Sequence, residues 1–135
     1  MNSELFFLLI DDDNLANALS AKLIEKVFVN ANISMVNKSD ATIKLLKEDK
    51  YADPDLIFLD INLGNENGWQ LLESINAIYL EKENKELPKV IILTSSIFEE
   101  DRLRTRKYKN VIKFISKPMS VTELNEIANE YFTPA

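Results

Sequence analysis

Residues 55–64 read DLIFLDINLG, and the order of apolar, acidic and turn-forming side chains in this stretch indicates the class of fold. Residues 56–59 are apolar without alternation, which is typical of a parallel strand covered by helices on both faces. Asp60 follows directly, and Asn62 and Gly64 are residue types that turn a backbone. The pattern predicts that Asp60 lies at the carboxyl end of a central strand, where open α/β sheets bind ligands. An aspartate that only ends a strand would give the same local pattern.

Strands and helices alternate along the rest of the chain. Apolar runs predict strands at residues 5–10, 90–93 and 111–115, and a weaker pattern predicts one at residues 32–36. Periodicity and capping signals predict helices at about residues 15–29, 40–49, 68–78, 97–108 and 121–131. This alternation predicts an α/β fold with a five-stranded, doubly wound parallel sheet in the flavodoxin-like strand order 2-1-3-4-5.

The predicted helices carry start signals and apolar faces. Capping residues are expected at the starts of three helices: Ser39 or Asp40, Ser96 with Glu99, and Ser120 with Glu123. In the first helix, Leu15, Leu19, Leu23 and Val27 are spaced to share one face. The helix before residue 108 has an acidic first turn and a basic remainder, which complements the helix dipole. A solvated helix and a partner-binding surface both explain this charge pattern.

The composition excludes several kinds of chemistry. The chain contains no cysteine and no histidine, so thiolate or imidazole metal sites and Ser-His-Asp triads are excluded. The net charge of −6 argues against direct binding of nucleic acid, because phosphate contacts need a basic surface. No apolar run approaches the ~20 residues of a membrane span, and the N-terminus lacks a basic signal-peptide start, so we expect a cytoplasmic protein.

Polar side chains that could act together follow four of the predicted strands. With the order 2-1-3-4-5, the first and third strands are neighbours, so Asp11, Asp12 and Asp60 are expected in one crevice. Thr94 and Lys117 follow the next two strands. Clustered carboxylates either share protons or hold a cation, and oxygen ligands with room for water suit Mg²⁺ better than Ca²⁺. A lysine and a hydroxyl facing such a cation describe a phosphoryl site in which one carboxylate is the nucleophile.

These residues resemble the motif set of response-regulator receiver domains of bacterial two-component signalling. The resemblance covers the whole chain, 1–135, as a single receiver domain, either of the stand-alone type or part of a longer protein. It rests on the acidic pair Asp11 and Asp12, the phospho-accepting Asp60, Thr94, and Lys117 followed by proline.

The resemblance also implies a role for each residue of the metal site. Asp12 and Asp60 are expected to bind Mg²⁺ directly, Asp11 to act mostly through water, and Asn62 to supply its backbone carbonyl. Gly64 stands where receiver domains commonly have proline, which is expected to loosen the loop after Asp60 without removing a ligand.

Further roles concern the phosphoryl group and the signal. Thr94 and Lys117 are expected to contact phosphoryl oxygens, and Phe114 takes the position of the family's switch aromatic residue, which is often tyrosine. The peptide bond between Lys117 and Pro118 is expected to be cis.

The function implied by this resemblance is a phosphoacceptor switch. A phosphohistidine on a histidine kinase or a histidine phosphotransfer protein is expected to donate its phosphoryl group to Asp60 in a Mg²⁺-dependent reaction. The face of residues 99–131 is expected to bind a target protein or a second copy of the chain. Two alternatives are a phosphatase with an aspartyl-phosphate intermediate and a degenerate receiver that only binds partners. The first type carries a second aspartate where this chain has Asn62, and the second would lack site residues that are present here.

Overall fold

A parallel sheet between two layers of helices organises the protein. The computed structural model describes residues 4–48, 53–82, 85–95 and 98–132. The elements in these ranges are β1 (Leu5–Ile10), α1 (Asn14–Val27), β2 (Ala31–Val36), α2 (Ser39–Lys47), β3 (Leu56–Leu59), β4 (Asn62–Leu63), β5 (Glu66–Asn67), α3 (Gly68–Glu81), β6 (Lys89–Thr94), α4 (Glu99–Arg104), β7 (Val111–Ser116) and α5 (Val121–Tyr131).

The described strands confirm the predicted topology. The main sheet has the order β2-β1-β3-β6-β7 and all its pairings are parallel, which is the predicted order 2-1-3-4-5 of the long strands. The predicted central strand at residues 56–59 has the bounds of β3, and all four of its residues are buried. Its continuous apolar character follows from this position, because β3 has a strand on each side and helices on both faces.

Each face of the sheet carries its own apolar core. Alternate side chains of β1, β3 and β6 point to opposite faces, so Leu8 and Ile57 pack on the side of α2 and α3, whereas Phe7 and Phe58 pack on the side of α1 and α5. On the second side, the rings of Phe7, Phe28 and Phe132 contact one another at centroid distances of 4.8 to 5.8 Å. Because helices cover both faces of the central strands, a ligand can reach these strands at their ends.

The predicted face of α1 is wrong in its first half. Leu15 and Leu19 are 67% and 60% exposed, whereas Leu23 and Val27 pack against the core. A line of residues spaced four apart drifts by about 40° per step around an α-helix of 3.6 residues per turn. Over three steps this drift turns one end of the leucine line away from the sheet. The helix instead buries Ala21 and Ile24.

Helix starts agree only in part with the predicted capping residues. The capping box of Ser120 and Glu123 is confirmed at the start of α5. The prediction for α2 is wrong, because its N-cap is Lys38, without a side-chain cap, and Glu66 Oε2 accepts the hydrogen bond from Ser39 N at 3.0 Å. Ser96 lies outside the described residues.

Two segments differ from the predicted elements. Helix α4 ends at Arg104 and continues as a 3₁₀ turn over Thr105–Lys107, so the predicted helix to residue 108 is too long. The loop after Asp60 contains the antiparallel ribbon of β4 and β5, which the sequence patterns did not predict. The described part of α2 ends at Lys47, and residue 49 lies outside the described ranges.

Candidate functional site

The carboxyl ends of β1 and β3 place the predicted aspartates together. Ile10 and Leu59 are paired in the register of these strands, and Asp60 N donates to Ile10 O at 2.9 Å. One carboxylate oxygen each from Asp11, Asp12 and Asp60 lies within 4.8 Å of the others. The predicted convergence of these side chains is therefore confirmed.

The loop after β1 is held by hydrogen bonds that orient Asp11. Its Oδ1 accepts from Asp13 N at 2.9 Å, and Asp13 itself caps α1 through its Oδ1. Asn17 is buried in α1 and donates from Nδ2 to Asp11 O at 3.0 Å and to Val36 O at 3.3 Å. Sequence reasoning missed Asn17. An amide on the inward face of a helix, four residues after the capping aspartate, is the signal that could have identified it.

Asp60 is fixed from both its main chain and its side chain. Its Oδ1 accepts from Asn62 N at 2.8 Å, and its Oδ2 accepts from Lys117 Nζ at 2.8 Å. Gly68, at the start of α3, packs against the backbone here, since a Cβ would lie 2.4 Å from Ile61 Cα and 2.7 Å from Asp60 O. Any other residue at position 68 would push the loop that carries Asp60. This role of Gly68 was also missed, because it arises from a contact between two backbones.

Lys117 joins two of the carboxylates. It follows β7, its backbone N donates to Thr94 O at 2.9 Å, and its peptide bond to Pro118 is cis, as expected. Its Nζ lies 2.5 Å from Asp11 Oδ2 and 2.8 Å from Asp60 Oδ2. Burial works to lower the pKa of Lys117, but the hydrogen bonds to both carboxylates outweigh burial and raise this pKa above its usual value. Lys117 is therefore a cation across the whole physiological pH range.

The electrostatics of Asp60 differ from those of an ordinary surface aspartate. Burial raises its pKa above the usual value and the charge of Asp11 adds to this effect, while Lys117 and the N–H of Asn62 oppose it. In the described part of the chain, a single ammonium faces the three carboxylates, so the pocket has an excess of negative charge. The side chains that could bind a metal ion here each offer a carboxylate oxygen, which suits a hard divalent cation such as Mg²⁺.

Thr94 and Phe114 lie on neighbouring strands, as predicted. Thr94 is buried at the end of β6 and pairs with Ser116 of β7. Phe114 of β7 pairs with Ile92, two residues before Thr94. Phe114 is half-buried, and the Arg102 guanidinium lies 5.3 Å from its ring centroid. The threonine is thus at the same edge of the sheet as the carboxylates, and the aromatic ring is near the surface of α4.

A family model for the response regulator receiver domain matches residues 7–129. The chain belongs to this family. It is thus a receiver domain of the kind found in two-component response regulators, and its acidic pocket is consistent with phosphoacceptor function. Receiver domains of two-component systems interact with histidine kinases or phosphotransfer proteins.

Individual relatives support this assignment. A two-component response regulator from Cytophaga hutchinsonii is 28% identical, with a TM-score of 0.78 over 95% of this chain and 96% of that one. The sensory transduction proteins LytR of Staphylococcus epidermidis and LytT of Enterococcus faecalis are 27% and 24% identical over 91% and 89% of this chain. The matched region spans 44% and 45% of these two proteins, so this receiver domain corresponds to less than half of their length.

A helix that spans a membrane needs about 20 predominantly apolar residues. Among the residues that the structure describes, no helix combines the length and the apolar character needed to cross a bilayer.

Proposed function

We propose that Asp60 is the phosphoacceptor of this receiver domain and that a phosphohistidine of a histidine kinase or a histidine phosphotransfer protein is the donor. The observation that carries this proposal is the pair of contacts from Lys117 Nζ to Asp60 Oδ2 and Asp11 Oδ2 inside the carboxylate pocket. In the transfer, an Asp60 oxygen forms a bond to phosphorus as the bond between phosphorus and the imidazole nitrogen breaks. This nitrogen keeps the electron pair of the broken bond, and the ring leaves as neutral imidazole because its other nitrogen already carries a proton or takes one from solvent.

The residues around Asp60 have separate tasks in this reaction. Lys117 neutralises negative charge beside the attacking carboxylate, and the N–H of Asn62 holds one carboxylate oxygen in place. Thr94 binds a phosphoryl oxygen through its hydroxyl once the group is transferred. Asp11, Asp12, Asp60 and the carbonyl of Asn62 would hold Mg²⁺, which supplies positive charge to the phosphoryl oxygens when bound.

An apolar groove beside the pocket suits a partner that carries the phosphohistidine. Its volume is about 220 Å³ and its lining combines α1 with the segment after β7: Ala16, Leu19, Ser20, Leu23, Leu93, Lys117, Pro118 and Met119. The exposed Leu15 and Leu19 extend this apolar surface along α1. A helix that packs here brings a histidine on its surface close to Lys117 and Asp60, which is the placement that phosphoryl transfer requires.

The receiver domain acts as a switch in this proposal and has no general phosphatase activity. A phosphatase with an aspartyl-phosphate intermediate needs an acid/base group two residues after the nucleophile, and Asn62 cannot serve as one. Turnover of a general phosphate ester such as p-nitrophenyl phosphate would contradict this part of the proposal.

The signal is proposed to leave through the face of residues 99–131, which comprises α4, β7 and α5 and binds a target protein or a second copy of the chain. When Thr94 moves toward the phosphoryl group, Phe114 on the neighbouring strand gains room to turn inward and releases Arg102 on α4. Thr94→Ala should accept phosphate but lose the phosphate-dependent NMR shifts of this face. Shifts equal to those of the wild type would refute the coupling.

The phosphoacceptor assignment is tested with acetyl phosphate as a small donor. In the presence of Mg²⁺, intact-mass measurement should show one added phosphoryl group, and hydroxylamine should remove it because the adduct is an acyl phosphate. Asp60→Asn should show no adduct, while Asp53→Asn, at the other end of β3, is the matched control and should be labelled like the wild type. Equal labelling of Asp60→Asn and the wild type would mean that another residue is the acceptor.

A further inference from the structure

The tip of the β4–β5 ribbon adopts a backbone conformation that favours glycine. The ribbon pairs Asn62 with Asn67 and Leu63 with Glu66, which leaves Gly64 and one further residue as a two-residue turn. Gly64 has a φ of +63°, in the left-handed region that tight hairpin turns of this kind require. The loop that follows the proposed phosphoacceptor therefore has a defined shape at its tip.

Both sides of this ribbon are anchored to the body of the protein. Leu63 is buried in the core between the sheet and α3. Glu66 accepts a hydrogen bond from Ser39 N at the start of α2, and Asn67 Oδ1 accepts from Trp69 N at 2.8 Å at the start of α3. Because these contacts hold the ribbon on both sides, a change at its tip cannot be absorbed by moving the whole loop.

The anchored tip lies directly against Asp12. A Cβ built on Gly64 would be 3.2 Å from Asp12 Oδ2, which is closer than an ordinary van der Waals contact. Asp11 and Asp60 are both held by Lys117, but among the described residues no hydrogen bond or ion pair holds the Asp12 carboxylate. The Asp12 side chain is exposed and free to turn, and a Cβ at position 64 would displace its Oδ2 by a few tenths of an ångström.

We propose that Gly64 is a positioning residue for the metal site: its missing side chain leaves the space in which the Asp12 carboxylate turns toward Asp11 and Asp60. This inference rests on the proposed function, in which Asp12 is a ligand of Mg²⁺. A side chain at position 64 pushes Asp12 away from the other two carboxylates, so that Mg²⁺ binds more weakly.

The test measures Mg²⁺ binding, which does not depend on phosphoryl transfer. Mg²⁺ is titrated into the wild type and Gly64→Ala, and amide NMR shifts give the dissociation constants. Changes in groups that orient a metal ligand typically cost 10–100-fold in affinity, so we expect Gly64→Ala to bind about tenfold more weakly. Gly64→Asn tolerates the left-handed backbone better and adds the same Cβ, so it should show the same loss of affinity with a smaller loss of stability.

Two controls separate the contact with Asp12 from other effects of the substitution. Asn65→Ala changes the other turn residue without adding a Cβ and should leave the dissociation constant unchanged. In an Asp12→Ala background, Gly64→Ala should cause no further loss of affinity. A dissociation constant of Gly64→Ala and Gly64→Asn equal to that of the wild type overturns the inference, and so does an equal loss in the Asp12→Ala background. A wild type that binds no Mg²⁺ overturns the proposed metal site and the inference with it.

Discussion

Asp53 and Asp60 lie near opposite ends of β3 and both are contacted by lysine, yet their pKa values are shifted in opposite directions. Asp60 follows the strand and shares Lys117 with Asp11, whereas Asp53 precedes it and is contacted by Lys82 at 3.3 Å and Lys85 at 2.6 Å. Burial raises the pKa of Asp60, and Lys117 does not reverse this. Burial also acts to raise the pKa of Asp53, but the hydrogen bonds from Lys85, Tyr79 and Lys82 outweigh it and lower this pKa.

The difference separates a functional cluster from a structural one. At the Asp53 end, Tyr79 Oη also donates to the carboxylate at 3.1 Å, and burial next to this charge raises the pKa of Tyr79. The cluster ties the end of α3, and the segment after it, to the start of β3. At the Asp60 end, negative charge exceeds positive charge within the described residues. The lysine alone does not balance the carboxylates, so the pocket favours binding of a further cation.

The largest expected effect on stability is the difference between removing Lys117, at the Asp60 end of β3, and removing Lys82, at the Asp53 end. Lys117→Met leaves Asp11 and Asp60 side by side without a cation, and we expect a loss of about 2 kcal/mol in the free energy of unfolding, less than for a fully buried pair because Lys117 is partly exposed. Lys82→Met leaves Lys85 on Asp53 and should cost about 1 kcal/mol or less. Urea unfolding in EDTA at neutral pH measures both. Equal losses in the free energy of unfolding would contradict the proposed difference between the two charged clusters.

Mg²⁺ should distinguish the two ends directly. At ten times its dissociation constant, a ligand that binds only the folded protein adds about 1.4 kcal/mol to the stability of the wild type. Asp12→Ala, which removes a proposed ligand, should gain much less, while Asp53→Asn should gain as much as the wild type. In EDTA, Asp12→Ala should be at least as stable as the wild type, because it relieves carboxylate repulsion without breaking a hydrogen bond among the described residues.

Urea midpoints of the wild type, Asp12→Ala and Asp53→Asn, with and without Mg²⁺, measure these gains in stability. Equal gains in Asp12→Ala and the wild type would show that Mg²⁺ is bound elsewhere.

The two aspartates should also give the stability opposite dependences on pH. The raised pKa of Asp60 means that the folded state holds its proton more tightly, so ionised Asp60 opposes folding, and this cost appears as the pH rises above the unfolded value near 3.8. The lowered pKa of Asp53 means that ionised Asp53 stabilises the fold above pH 3.8, and this contribution is lost as the pH falls through its folded value.

Unfolding free energies in EDTA between pH 3 and pH 6, compared with Asp60→Asn and Asp53→Asn, test both signs. As the pH rises, the stability of the wild type relative to Asp60→Asn should fall, and relative to Asp53→Asn it should rise. A trend of the same sign for both substitutions would contradict the comparison.

The smallest expected effect concerns the hydroxyl of Tyr79, which contacts Asp53 before β3. Tyr79→Phe removes the hydrogen bond to Asp53 and keeps the buried ring, so it should cost about 1 kcal/mol, as typical for one hydrogen bond. Its gain in stability from Mg²⁺ should equal that of the wild type. A changed Mg²⁺ response would show that the two ends of β3 are coupled.

Sequence patterns sufficed where a signal is local and repeated. The apolar runs of β1, β3, β6 and β7 predicted the sheet, and the polar residues directly after them predicted the convergence of Asp11, Asp12 and Asp60. They were less reliable for α1, where Leu15 and Leu19 continue an apolar spacing but face solvent. Helical periodicity describes the faces of a helix, but the packing of the whole helix chooses which face is buried.

The sequence by itself determined the fold class and the residues of the acidic pocket, because apolar runs and the polar residues that end them are properties of neighbouring residues. The strand order then followed from the crossover rules of doubly wound sheets. The tertiary structure decided the contacts between distant segments: Asn17 on Val36, Lys117 between Asp11 and Asp60, and Gly64 against Asp12. These contacts depend on the three-dimensional placement of loops whose conformation no local pattern specifies. For that reason the tertiary structure also decided which of the two charged clusters around β3 favours a cation and which one is satisfied.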